Sequence, residues 1–454
     1  MEIKPKLSVT GYRAIWGTDL TEQIAYEYSR AYAKYCKSQG AKKILVGRDA
    51  RQSGPMILSS VTKAFQAEDI DIEYAGILPT PSMLLLVKKL NFDAGVMITA
   101  SHNPIEYNGI KFIVHGGRLT NAEETKTIQQ FYDSLTTEEK TIQGHPLDEP
   151  AIDNKEFRKI HIDEILKNID GDLIRSCDFK VALDPINSGG SLITQELLKE
   201  LNCKVQVING EMTGVFAHRP EPLPENLTET AEFVKNGAVD VGFVQDPDAD
   251  RLLVIDESGS IIGEEKTLVL AIKNVLAKEP GDIVINLSTS SMSEVVAKEF
   301  GRKTYRTKIG EANVVQKILE VGAPIGGEGS SGAIYPKVNT ARDSLVGIAL
   351  ILELMARENK KISELSDSLP KFYMKKEVIH WGGDLPNLYS KLKDKWKNDK
   401  ANEEDGVRFD FEDSSWIHIR PSNTEPVVKI FGEATTPERI QTLVDQVNLT
   451  LNSN

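Results

Sequence analysis

The chain is expected to fold as an α/β protein of several domains, and two patterns carry that expectation. Apolar strand-like runs alternate with amphipathic helix-like runs over most of its 454 residues, which favours mostly parallel sheets covered by helices. Three of the apolar runs lead directly into polar loops rich in chemically useful side chains, at 94–101, 239–246 and 321–328. Ligands of such sheets gather at the carboxyl ends of strands. A chain this long also exceeds what one hydrophobic core supports, so two to four domains are expected.

In chain order, an amphipathic helix is predicted over 22–38, a short apolar strand at 43–46, and a second helix after Ser53-Gly54-Pro55, where proline suits the first turn. The stretch 136–150 is polar, holds two prolines and lacks periodicity, so a first domain is placed at 1–150. The pattern restarts with a strand at 180–183, a Gly189-Gly190 turn, a helix to Leu201, a strand at 203–208, a proline-rich loop, a helix and a strand at 239–244. These make a second domain, 151–255. The third, 256–369, has strand signals at 282–287 and 323–326 and helices near 265–277, 291–300 and 311–321. In the last, 370–454, the runs 407–412, 416–420 and 427–431 alternate like antiparallel strands before a helix from Pro437, which suggests a smaller α+β domain.

A formal charge of −13 disfavours nucleic acid and anionic membrane as partners, because either needs a basic face. No run of about 18 apolar residues occurs and the N-terminus lacks a signal peptide's apolar block, so a cytoplasmic protein is expected. Cys36, Cys177 and Cys203 are far apart and odd in number, which fits reduced, mostly buried thiols. Basic residues nevertheless lie in or beside the polar motifs, namely Arg13, Arg48, His102, Lys111, Arg251, Lys308 and Arg420.

Four segments carry the chemistry. Thr99-Ala-Ser101-His102-Asn103-Pro104 sets a serine behind the apolar run 94–98, a nucleophile's position, although Ser, Asn and Pro are also ordinary in a strand-ending turn. No G-x-S-x-G elbow surrounds it, which argues against a serine hydrolase. Asp246, Asp248 and Asp250 alternate with Pro247 and Ala249, so an extended segment points all three carboxylates one way. Oxygen-only ligands of this kind suit Mg²⁺, the bland alternative being a solvated acidic turn. A calcium loop fails because Arg251 stands where glycine is needed and 252–255 reads as a strand. Gly326-Gly327-Glu328-Gly329-Ser330-Ser331-Gly332 offers a carboxylate and hydroxyls matched to vicinal sugar hydroxyls, or else is a flexible turn. Arg420, Ser422, Asn423 and Thr424 combine a guanidinium with small donors, as a phosphate nest or a salt-bridged surface turn would.

In this order and spacing the four motifs resemble the α-D-phosphohexomutase family, which includes phosphoglucomutase, phosphomannomutase and phosphoglucosamine mutase. The likeness extends to 11–17, Val46-Gly47-Arg48-Asp49, Asn108-Gly109-Ile110-Lys111, 218–225 and Lys308-Ile309-Gly310. It implies four domains around a central cleft, three of related mixed α/β topology and one α+β, with the last closing over the substrate to exclude water. It implies that Ser101 is a phosphoserine that gives its phosphoryl group to a hexose phosphate. A hexose 1,6-bisphosphate forms, which also serves as activator, and its other phosphate returns to Ser101. Mg²⁺ would be held by Asp246, Asp248 and Asp250 against Ser101, with Arg13 and Lys111 beside the reacting hydroxyl and Arg251 and His102 steadying the phosphoryl group. Glu328 and Ser330 would read the sugar, Lys308 would contact substrate beside them, and Arg420, Ser422, Asn423 and Thr424 would clamp the other phosphate. Family members occur as monomers and homodimers.

Many relatives carry a histidine shortly after the sugar-reading serine, whereas Ser331-Gly332-Ala333 follow Ser330 here. The segment 308–314 looks closer to the glucosamine-type branch and Asn423 closer to the glucose and mannose type. The expectation is a glucosamine phosphate mutase, with a dual glucose and mannose enzyme as alternative. A Mg²⁺-dependent phosphatase or a non-catalytic sugar-phosphate binding protein stands further off: Pro247 follows the first aspartate with no flanking threonine, unlike aspartyl-phosphate phosphatases.

Overall fold

The structure, a computed structural model, describes residues 7–146, 153–329, 332–380, 383–421 and 427–452. The chain divides into two compact units, Met1–Thr267 with Ser331–Leu365, and Leu268–Ser330 with Ser366–Asn454.

The first unit holds two sheets. One has strands β1 (Gly11–Ile15), β2 (Lys43–Arg48), β3 (Asp71–Ile77), β4 (Ala94–Ile98), β5 (Tyr107–Val114) and β6 (Arg118–Leu119) in the order β1-β5-β4-β2-β3, with β6 beside β5. β2, β3 and β4 are parallel, and β5 runs antiparallel to β4 and β1. The helix Glu22–Ser38 starts where the Thr21 side chain accepts the Ile24 N–H, with Glu22 in its first turn, both favourable at the positive end of a helix. It packs Tyr28 on Tyr12 and Tyr132 and Tyr32 on Phe112, with ring centroids 4.2–4.7 Å apart. Each such pair contributes about 1 kcal/mol beyond its buried area, and together they fix β1 and β5 from behind.

The second sheet has β7 (Lys180–Asp184), β8 (Lys204–Val207), β9 (Val241–Gln245) and β10 (Leu252–Asp256) in the order β10-β9-β7-β8, with only β10 antiparallel. β9 is buried throughout and ends where the acidic loop begins. The helix Ser344–Glu358 is capped by Asp343, and its Ser344 hydroxyl donates to Ala249 O at 2.6 Å, so its first turn braces that loop. β14 (Gly332–Ile334) also lies in this unit.

In the second unit β11 (Ile283–Asn286) lies between β12 (Thr304–Thr307) and β13 (Ile325–Glu328), all parallel. A five-stranded antiparallel sheet follows, made of β15 (Tyr373–His380), β16 (Lys400–Asn402), β17 (Val407–Asp410), β18 (Trp416–Pro421) and β19 (Val427–Ala434) in the order β15-β19-β18-β17-β16. The helices Leu385–Lys395 and Pro437–Asn452 cover it over a core that includes Leu388, Phe409, Ile430 and Leu443. The fold is thus the expected mixed α/β architecture with a C-terminal α+β part.

Three details differ from the sequence reading. The stretch 136–146 is not featureless, since Thr137–Lys140 forms a short helix with a capping box. Cys36 is buried but Cys177, just beyond a five-residue helix, is exposed. Arg48 turns away from the polar motifs to donate to Tyr74 Oη and Asp49 O. Among the described residues no helix is long and apolar enough to cross a membrane.

Candidate active site

Ser101 follows the end of β4 by three residues, and its backbone is left-handed at φ +50°. That conformation costs a residue with a side chain about 1–3 kcal/mol and persists only when its surroundings over-determine it. It turns the hydroxyl toward the loop after β9, where Ser101 Oγ donates to Asp246 Oδ2 at 3.1 Å. His102 Nδ1 lies 3.2 Å from the same hydroxyl, and its Nε2 lies 3.3 Å from Arg251 Nη2. A guanidinium can only donate, so Nε2 is the acceptor and the ring proton sits on Nδ1, facing Ser101. Burial and the positive charges of Arg251, Arg13 and Arg342 hold His102 well below the usual histidine range, so the ring is neutral and donates to the hydroxyl rather than taking its proton.

The acidic loop is a turn, not the extended segment expected. Ala249 is left-handed at φ +50°, and Asp246 Oδ1 accepts the N–H groups of Asp250 and Arg251 at 3.1 Å each. The three carboxylates converge because the chain curls around the first of them. Each is at most 2% exposed, and one oxygen from each lies within 4.8 Å of the others. Lys111 Nζ donates to Asp248 Oδ2 at 2.6 Å, Thr80 Oγ1 to the same oxygen at 2.5 Å, and Arg342 Nη2 to Asp250 Oδ2 at 2.7 Å. Asp248 Oδ1 and Asp250 Oδ1 are buried with no hydrogen-bond partner. Burial raises Asp248, but Lys111, Thr80 and Arg13 outweigh it and hold that carboxyl below its ordinary range. Asp246 is pushed well above it, by burial first and then by the charges of Asp250 and Asp248. Two orphaned oxygens beside a third carboxylate that resists ionisation are what a divalent, oxygen-seeking cation would satisfy.

Arg13 and Lys111 belong together through register. Gly11 pairs with Lys111 and Arg13 with Gly109 across β1 and β5, so the two side chains share one face on a diagonal. Gly109 is required there, because a Cβ would stand 2.6 Å from Tyr12 O and 2.9 Å from Thr99 O. Arg13 Nη1 donates to Asn103 Oδ1 at 2.7 Å, which ties it to the serine loop. The first unit therefore gathers Ser101, His102, Arg13, Lys111, Arg251 and the three aspartates into one cluster.

Within the second unit, buried Glu328 accepts from Asn286 Nδ2 and from the Gly310 N–H, both at 2.8 Å. Exposed Lys308 lies two residues before Gly310. The Ile309 N–H donates to Asp405 Oδ2 at 3.0 Å, and Asp405 Oδ1 accepts Arg420 Nε at 3.1 Å. One carboxylate thus connects the Lys308 loop to Arg420 at the end of β18. Ser330, Ser422, Asn423 and Thr424 lie outside the described residues.

Sequence reasoning missed Thr80, Arg342 and Arg51. Arg51 stands two residues beyond Val46-Gly47-Arg48-Asp49 and was within reach of that motif; Thr80 and Arg342 sit in segments with no catalytic pattern of their own. A cavity of about 440 Å³ lined by Tyr32, Tyr35, Cys36, Asp93 and Arg118 contains none of the cluster's residues.

Comparison with known proteins accords with this geometry. The four phosphoglucomutase/phosphomannomutase family models match in order: alpha/beta/alpha domain I over 5–139, domain II over 159–259, domain III over 264–373 and the C-terminal domain over 384–450. A phosphoglucomutase/phosphomannomutase of Thermococcus kodakarensis is 34% identical over 94% of each chain. A phosphoglucosamine/phosphogalactosamine mutase of Sulfurisphaera tokodaii is 33% identical over 96% of this chain and 97% of its own. The crystal structure of a phosphoglucomutase/phosphomannomutase family protein from Burkholderia thailandensis superposes with a TM-score of 0.84 at 25% identity, covering 98% of this chain and 96% of that one. With four domains matched in sequence and relatives similar across both full lengths, the chain belongs to the phosphoglucomutase/phosphomannomutase family of α-D-phosphohexomutases and is an enzyme of the isomerase class.

Proposed function

We propose that the protein interconverts the 1- and 6-phosphates of a hexose through a phosphoserine at Ser101 and a hexose 1,6-bisphosphate. The observation that carries this reading is the Ser101 hydroxyl seated 3.1 Å from Asp246 beside two buried, unpartnered carboxylate oxygens. In the first half-reaction the bond from phosphorus to Ser101 Oγ breaks while one forms to the free sugar hydroxyl oxygen, whose proton leaves. In the second, the bond from the other phosphorus to its sugar oxygen breaks as one forms to Oγ and that sugar oxygen takes up a proton, so neither phosphate nor proton is lost overall.

Asp246, Asp248 and Asp250 would hold Mg²⁺, which when bound offsets the negative charge of the phosphoserine. Arg13 and Lys111 flank the reacting hydroxyl and polarise it, Lys111 being the one of the two able to exchange its proton. Arg251 and the neutral His102, which lie beside the Ser101 hydroxyl, donate to phosphoryl oxygens. Glu328 with Ser330 accepts sugar hydroxyls, Lys308 donates to the substrate beside them, and Arg420 with Ser422, Asn423 and Thr424 binds the non-reacting phosphate. The same reading divides the chain into domains at 1–150, 151–255, 256–369 and 370–454, with the activating bisphosphate priming Ser101.

Glucosamine phosphate is the preferred substrate in this reading, on the 308–314 segment and the Sulfurisphaera relative's name. Dual action on glucose and mannose phosphates is the second reading, favoured by Asn423 and the Thermococcus relative's name. Phosphorus NMR decides between them when the protein, with Mg²⁺ and a trace of glucose 1,6-bisphosphate, is offered glucose, mannose and glucosamine phosphates in turn. Fastest exchange between the 1- and 6-phosphate resonances of glucosamine phosphate is expected. Release of inorganic phosphate without exchange would defeat the mutase reading.

A further inference from the structure

A fully buried guanidinium lies beneath the serine loop, and all five of its N–H groups are used. Arg51 Nε donates to Asp49 Oδ2 at 3.1 Å, Nη1 to Pro104 O at 2.7 Å and Tyr107 O at 3.0 Å, and Nη2 to Ser101 O and Asn103 O at 2.7 Å each. Its side chain is 0% exposed. Four carbonyls of one loop converge on one planar fork, which a lysine, with three donors on a single atom, cannot reproduce. Asp49 completes the frame: its Oδ2 accepts Thr99 Oγ1 at 2.6 Å, and Thr99 Oγ1 in turn accepts the Ser101 N–H at 2.9 Å. Both backbone polar groups of the left-handed Ser101 are therefore pinned, the carbonyl by Arg51 directly and the N–H through Thr99 and Asp49.

The same segment reaches the acidic loop. The Ala50 N–H donates to Ser188 Oγ at 3.3 Å, and Ser188 Oγ donates to Pro247 O, between Asp246 and Asp248, at 2.7 Å. From the other side the Phe216 ring lies 4.9 Å from the guanidinium carbon. Gly214 makes that approach possible, since at φ +66° a Cβ would meet Ala50 O at 1.9 Å.

We propose that Arg51 is a positioning residue that holds Ser101 in its left-handed conformation and, through Ala50 and Ser188, keeps the serine loop in register with the acidic loop. Arg51 touches no reacting atom in this role, which rests on the reading of Ser101 as nucleophile. Misplacement by about 1 Å is enough to cost about 100-fold in rate.

The test uses Arg51→Lys and, as a milder variant that removes only the two bonds of the Thr99 hydroxyl and leaves the guanidinium in place, Thr99→Val, each normalised to folded protein. Arg51→Lys is expected to lower kcat about 100-fold while KM for the hexose phosphate and affinity for Mn²⁺, as a probe of the acidic loop, stay within about three-fold. Thr99→Val is expected to lower kcat about ten-fold with the same split. Amide hydrogen exchange of residues 99–107 is expected to quicken at least about ten-fold in both variants with β2 unchanged. Unchanged exchange in that loop, or unchanged turnover per folded molecule, overturns the positioning role. Because exchange needs no turnover, it also separates this proposal from the mutase reading, which fails on its own if the parent protein accepts no phosphate from glucose 1,6-bisphosphate. If Arg51→Lys does not fold, Thr99→Val decides by the same readouts.

Discussion

Asp248 shows how one side chain can be read twice. Its Oδ2 accepts from Lys111 and Thr80, while its Oδ1 is buried with no hydrogen-bond partner. Half of the carboxylate is anchored and half is presented. Asp248→Asn keeps the shape but puts an amide where an anion is needed, so kcat/KM is expected to fall at least about 100-fold, with titrations showing weakened Mg²⁺ binding. Full turnover in that variant would remove the aspartates from the mechanism. The sequence made the three aspartates visible through their spacing, but not their geometry. A strict alternation predicts a strand, whereas left-handed Ala249 and the two N–H groups bound by Asp246 curl the segment into a turn. Nothing in the residue types announces that an alanine will adopt a positive φ.

At the scale of elements, most of the strands and helices that the sequence reading bounds emerge within one or two residues, because apolar runs and capping signals are local, whereas β1, β3, β5 and the helices Thr80–Lys89 and Ser344–Glu358 are not among them. Glu22–Ser38 and Glu311–Val321 emerge as expected. Contacts made across elements also escape the sequence reading. Asp405, in the turn before β17, links the Ile309 backbone to Arg420 on β18, a juxtaposition set by sheet order rather than by sequence distance. If Arg420 binds the non-reacting phosphate, its loss removes charge-assisted hydrogen bonds made equally in ground and transition states. Arg420→Ala is then expected to raise KM by about 10–100-fold with a smaller change in kcat, in steady-state kinetics with the natural monophosphate. An unchanged KM would detach β18 from substrate binding.

For the molecule as a whole, a net charge of −13 is reconciled with an anionic substrate by concentrating Arg13, Lys111, Arg251 and Arg342 around one carboxylate cluster. Stability also has a pH signature. His418 is 0% exposed, lies 2.8 Å from Ser288 Oγ and contacts Asp405 O. Burial, reinforced by the charges of Arg408 and Arg420 against the pull of Asp405, lowers it to about 4. A histidine whose folded value lies below its unfolded one, near 6.5, favours the unfolded chain once protons bind. Its contribution is complete above pH 6.5 and lost as pH falls toward 4. Urea unfolding followed by tryptophan fluorescence is expected to show the parent losing about 3 kcal/mol more than His418→Asn between pH 7 and 4. Equal slopes would mean the ring titrates alike in the folded and unfolded chain, and so is not held neutral by the fold.

The account stands on Ser101 carrying the phosphoryl group between two positions of one sugar. The most direct measurement incubates the protein with Mg²⁺ and glucose 1,6-bisphosphate, maps the phosphorylated residue by mass spectrometry, and then chases with unlabelled hexose monophosphate. One phosphoryl group on Ser101, absent in Ser101→Ala and transferred to the sugar on the chase, is the predicted result. Phosphate on any other residue, or its departure as inorganic phosphate during the chase, would contradict the account.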